Sequence, residues 1–240
     1  MTTSDQRKME NNKLKDIGEA IVGATLIAFH LVLGPALRGW RVRWGATQEE
    51  RKRTFPGDDL IPHPKWAYTH AVTIRAPAAR VWPWVVQIGQ GRGGFYSYEL
   101  LENLVGCDIH NADKIIPEFQ ELEVGDSIHL HPKAPPLPVI GIEPGRFLLL
   151  GSPPDYNDPE AKYAGATWLF YLREIRKDAV RLISHGRNDY GPKVGFATKL
   201  WFSSALMEPL VFVMDRKMLW GIKQRAEAAF GNQQEKGVKA

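Results

Sequence analysis

The chain has 240 residues, 44% hydrophobic and 24% charged, a composition that excludes wholesale disorder. Lys plus Arg (31) exceeds Asp plus Glu (27) by four charges, and no basic stripe interleaves with aromatics, so no nucleic-acid partner is expected. A single cysteine, Cys107, excludes an internal disulfide framework and a multi-cysteine zinc site.

Residues 1–16 read as a polar tail and residues 17–40 as a hydrophobic helix. Within it, residues 20–37 (AIVGATLIAFHLVLGPAL) hold no Asp, Glu, Lys or Arg. One helix of that length spans roughly 27 Å, against a hydrocarbon core of about 30 Å. Its Leu, Ile, Val and Phe residues favour insertion by roughly 3 to 5 kcal/mol, a gain that His30, Gly34 and Pro35 erode. Trp40 and Trp44, mixed with Arg38, Arg41 and Arg43, follow in the pattern of an interfacial anchor. The expectation is a single-pass membrane helix through residues 20–37. A helix docked on the domain and a signal peptide are the alternatives. Lys and Arg are denser after the segment than before it, which places the C-terminal domain in the cytoplasm.

Residues 41–65 are polar and proline-bearing and read as a linker. A domain over residues 66–230 follows, and residues 231–240 form a polar tail. Tyr68 to Arg75 alternates as a strand does. Ala76-Pro77 opens a helix that Pro83 kinks or tightens. Ser97 caps a second short helix that Gly106 ends. Residues 117–123 form one helical turn, and strands follow near residues 127–131, 139–142, 146–150, 166–175 and 180–187. Residues 155–165 form a polar loop. A long helix covers about 197–230, with a break at Pro209.

Residues 74–126 carry A-P-x-x-V-W-P-W-x-V-Q-x-G-Q-x-R-x-G-F-Y-S-Y, then G-x-D-I-x-N-A-D, then L-x-x-G-D. With this element order, the chain over about residues 43–230 resembles the START-like (SRPBCC) helix-grip superfamily. The similar subgroup is bacterial, lies near polyketide cyclase/dehydrase-type proteins, and often bears an N-terminal hydrophobic helix. The resemblance implies an α+β fold in which a curved antiparallel sheet grips the last helix around a ligand cavity. It implies no particular reaction.

Several motifs invite chemistry. Residues 89–94 match G-x-G-x-x-G but follow a helix and lead into Phe95-Tyr96-Ser97-Tyr98, so a tight turn is expected and no nucleotide or other cofactor. Arg92, Tyr96 and Tyr98 are expected at the cavity rim, where Arg92 could hold an anionic head group or pair with Glu99 or Asp108. Trp82, Trp168 and His110 complete the candidate ligand-binding set, although packing explains most of the tryptophans equally well. Asp108, His110 and Asp113, with His129 and His131, fit no strong metal signature, and no metal is expected. His185 is the candidate catalytic acid/base if its strand face looks into the cavity.

The resulting expectation is a membrane-tethered protein that binds an apolar small molecule or lipid in an internal cavity. The alternatives are a cyclase/dehydratase-type enzyme and a protein-interaction module. An enzyme needs converging titratable groups in its cavity, a carrier needs apolar walls with one polar end, and an interaction module needs an exposed apolar patch.

Overall fold

The computed structural model describes residues 3–156 and 164–238. Most of the loop expected over 155–165 therefore lies outside the described residues, as do the outermost two residues of each polar tail. The elements run α1 (Thr3–Val32), α2 (Gly34–Arg41), α3 (Gln48–Lys52), β1 (Trp66–Ile74), α4 (Ala78–Val86), α5 (Glu99–Leu104) and β2 (Ser127–Ile128). They continue with β3 (Leu137–Glu143), β4 (Phe147–Ser152), β5 (Ala164–Arg176), β6 (Ala179–Tyr190), α6 (Phe196–Trp201) and α7 (Met207–Val238).

The strands form one antiparallel sheet in the order β1-β6-β5-β4-β3-β2. Alternation decides which residues point inward. Val72, Ile74, Leu148, Leu150, Phe170, Leu172 and Leu182 meet Val81, Trp84 and Val85 of α4 and Met218, Leu219 and Ile222 of α7. This sheet gripping a long terminal helix is the helix-grip architecture. Pro83 sits inside α4 without ending it, and Pro209 lies in the first turn of α7. The break in the long helix falls instead between α6 and α7.

The segment read as a linker is packed structure. Ala71, Leu149, Leu169, Tyr171 and Ile183 form the sheet's second face, and Phe55 covers it with Ala46 and Leu60. Thr47 and Glu50 make a reciprocal capping box at α3. The Glu50 carboxylate, buried, accepts from Arg181 Nε (2.9 Å) and Nη2 (2.7 Å) and from Arg173 Nη2 (3.0 Å). Burial pushes its pKa up, but these hydrogen bonds and charges outweigh it and leave it below the usual range.

The expected membrane span is corrected. Among the described residues, no helix is long and apolar enough to cross a membrane. The physical reason is the break at Gly34-Pro35. The chain leaves α1 at Val32, and Pro35 starts α2, where its missing N–H costs nothing. The apolar part of α1, residues 20–32, is then only roughly 20 Å long. Single-pass localisation through residues 20–37, with the membrane as a partner, falls with it. The N-terminal helix is not a separate element either. Gly23 lets α1 approach Tyr98 and Leu101 closely, since a Cβ there would lie 2.8 Å from Leu101 Cδ1. Leu26 and Ile27 pack with Tyr98, Phe212 and Val213, and Lys217 pairs with Glu19 at 2.9 Å.

Candidate functional site

Two places concentrate unusual side chains. The first is inside the grip. β1 puts Tyr68 and His70 on the same face as Val72 and Ile74, and β6 puts Ser184 beside them. His70 Nδ1 hydrogen-bonds Asp215 Oδ2 of α7, and its Nε2 faces the Arg41 carbonyl at 3.1 Å. Ser184 Oγ donates to Asp215 Oδ1 (2.8 Å) and accepts from Trp168 Nε1 (3.0 Å). Tyr68 stacks on His70 at 4.4 Å. Burial first, then the Asp215 charge, pushes the Tyr68 phenol well above its ordinary pKa. His70, Asp215 and Ser184 are all buried, and each polar atom of the three has a partner within the fold. The cluster fastens β1, β6, α2 and α7 together.

The second place is a groove of about 360 Å³ where α1, α2 and α7 meet. Leu26, Phe29 and His30 line it from α1, Leu37 and Trp40 from α2, and Phe212, Val213 and Arg216 from α7. Rings form its floor. Phe212 meets His30 edge-on at 4.9 Å and Trp40 at 5.4 Å. A buried ion pair holds the groove's corner. Arg41, 1% exposed, donates from Nε (3.2 Å) and Nη2 (2.7 Å) to Glu208 Oε1. Arg38 Nε takes Oε2 at 3.0 Å. Glu208 stands in the first turn of α7, where the helix dipole favours a carboxylate. Burial first, then the charges of Arg41 and Arg216, lowers the His30 pKa. Its Nδ1 is buried with no hydrogen-bond partner.

The residues singled out in the sequence are scattered over the fold. Arg92 donates from Nε to Ile88 O (3.1 Å) and from Nη2 to Val86 O (2.9 Å) and Phe119 O (3.1 Å). It pairs with neither Glu99 nor Asp108. Tyr96 is buried at φ 55, a left-handed backbone rare outside glycine. Its N–H donates to Asn111 Oδ1 at 2.6 Å and its OH to Trp84 O at 3.2 Å. Tyr96 and Tyr98 line a polar crevice of about 380 Å³ beside α1, and Arg92 does not. Trp168 belongs to the interior cluster. Trp82 packs half-buried on the core. His110 is 77% exposed, between Glu99 (3.4 Å) and Asp108 (3.2 Å). Among the described residues, no group of three His, Cys, Asp or Glu could hold a metal.

His185 lies on the sheet's second face, away from the grip. Its Nδ1 meets Thr69 Oγ1 (2.9 Å), its Nε2 meets Asp58 Oδ1 (3.0 Å), and its ring lies on Phe55. Sequence reasoning missed His70, whose signal was its position on the inward stripe of β1. It also missed His30, Arg41, Glu208 and Arg216 as site residues. Their local signal, a histidine and arginines flanking an apolar run, also fits a membrane anchor.

No protein-family model matches the chain, and no curated protein matches it. Solved structures resemble it in shape. The Zhui aromatase/cyclase from Streptomyces sp. R1128 is 13% identical, with a TM-score of 0.39 over 68% of this chain and 93% of that one. A hypothetical protein from Helicobacter pylori is 12% identical, with a TM-score of 0.43 over 75% and 99%. A Polyketide_cyc-like protein from Corynebacterium glutamicum is 16% identical, with a TM-score of 0.30 over 75% and 90%.

Proposed function

We propose that this chain is a helix-grip protein that binds an apolar small molecule, and that the groove between α1, α2 and α7 is where it does so. One observation carries the reading. The groove is walled by aliphatic and aromatic side chains, with ionisable groups only from His30 and Arg216. Its volume is at the lower end of the range for small-molecule sites. The enzyme alternative needs titratable groups converging on open space. The buried histidine–carboxylate cluster inside the grip, His70 with Asp215, has its hydrogen-bonding capacity already satisfied by the fold. The experiment is a titration of the full chain with a neutral naphthylamine dye that brightens in apolar surroundings. Micromolar binding that Leu37→Trp abolishes supports the reading, because a half-buried Leu37 can be enlarged into the groove. Undiminished binding in that variant, or none in either, overturns it.

A second reading, an interaction module, has one observation in its favour. The short helix α6 presents Phe196, 81% exposed, with Leu200 and Trp201. Sedimentation velocity tests it through self-association. A dimer that Phe196→Ser dissociates supports the module. A monomer at every concentration counts against self-recognition through α6.

A further inference from the structure

The groove has more charge at its corner than the fold neutralises. Arg38, Arg41 and Arg216 gather there. Glu208 takes Arg38 and Arg41. Asp215, next to Arg216 in the chain, is turned inward to His70 and Ser184. Lys217, on the other side, is matched by Glu19. Arg216 is left over. Among the described residues it makes no ion pair and no hydrogen bond. Its guanidinium lies over the Trp44 ring at 5.5 Å, and its Nε is buried without a partner. A half-buried guanidinium stays charged, and leaving it uncompensated costs free energy. A second unpaired nitrogen, His30 Nδ1, belongs to the same lining and is itself buried.

We infer that the groove takes an anionic amphiphile, with a carboxylate or similar anion held by Arg216 and the apolar body lying along Phe29, Leu37, Trp40 and Phe212. This rests on the binding reading above and adds the class of ligand. The anion supplies the counter-charge that the fold withholds, through a charge-assisted hydrogen bond in which Arg216 donates. His30, on the same lining, can offer a second donor from its ring. A neutral molecule of the same shape would desolvate Arg216 and give nothing back. The site therefore discriminates by penalty as well as by attraction.

Decanoate and decanol share a chain and differ in the head group, so calorimetric titration of the full chain with each separates the two layers of the claim. Decanoate should bind at least about tenfold more tightly than decanol in low salt, the scale of one charge-assisted hydrogen bond. Arg216→Met, which keeps the packing over Trp44, should erase that preference, weakening decanoate and, with no guanidinium left to desolvate, binding decanol at least as tightly as the wild-type chain does. Leu37→Trp should weaken both. Decanol binding as tightly as decanoate in the wild-type chain overturns the head-group assignment and leaves the groove standing. So does a decanoate preference that survives Arg216→Met. Binding of neither overturns both layers. The wild-type comparison alone decides the case if Arg216→Met fails to fold.

Discussion

Glu208→Gln tests the joint on which the groove depends. In the folded chain Arg41 is fully buried, and two of its nitrogens donate to Glu208 Oε1. Its remaining contact is a long 3.4 Å hydrogen bond from Nη1 to the His30 carbonyl. The glutamine keeps the shape and removes the charge. A buried guanidinium is then left with an amide oxygen, and breaking a buried pair in this way costs about 3–5 kcal/mol. The contact with exposed Arg38 adds no more than about 1 kcal/mol. For a chain of this size each kcal/mol is about 2–4 °C of melting temperature, so the fall should be roughly 6–24 °C. The assays are thermal unfolding by circular dichroism and urea unfolding at one fixed pH. The double variant Arg41→Met/Glu208→Leu should recover most of the loss, because it removes both charges together. A glutamine variant within about 1 kcal/mol of wild type would refute the reasoning. So would a double variant as unstable as the single one.

Three further outcomes follow from the same structure. Burial, then the neighbouring Glu99 charge, pushes the Glu102 carboxyl up to about 7, and its Oε2 is buried without a partner. The fold thus holds a proton that the unfolded chain releases near the ordinary carboxylate value, so stability falls as pH rises from that value through about 7. Glu102→Gln should stabilise the chain by about 1–3 kcal/mol at alkaline pH and change little in acid, and urea unfolding at both ends of the window checks this. Arg92→Ala removes three hydrogen bonds to backbone carbonyls and should cost about 1–3 kcal/mol in thermal unfolding, with dye affinity in the groove unchanged. Gly186→Ala would drive a Cβ into the Tyr68 ring, which is fixed against His70, and should cost about 1–3 kcal/mol by the same assay.

The strands were legible because β1 repeats every second residue, with Tyr68, His70, Val72 and Ile74 facing one way. The faces were harder to tell apart. Ile183 looks inward by composition, yet it belongs to the second face, which Phe55 and its neighbours bury. A sheet apolar on both sides gives no parity signal, so the sequence leaves open which face of β6 carries His185 and gives no sign of Ser184. The turn at residues 89–94 was legible from its glycines. The carbonyls that Arg92 binds were not, because a side chain's partner depends on how the turn closes. The N-terminal segment shows the same limit. Its apolar run was read as one helix, although Gly34-Pro35 divides it. What decides its place is the pairing of Arg41 with Glu208, two residues 167 positions apart, which no local pattern reveals.

Hydrogen–deuterium exchange of the full chain, with and without a saturating apolar dye, tests the central claim most directly. Binding in the groove should slow exchange over residues 26–40 and 209–217 and leave the strands β1 and β6 and residues 89–98 as they were. Protection over β1, β6 or residues 89–98, with none over residues 26–40, would place the ligand inside the grip or at the glycine-rich turn and contradict the account.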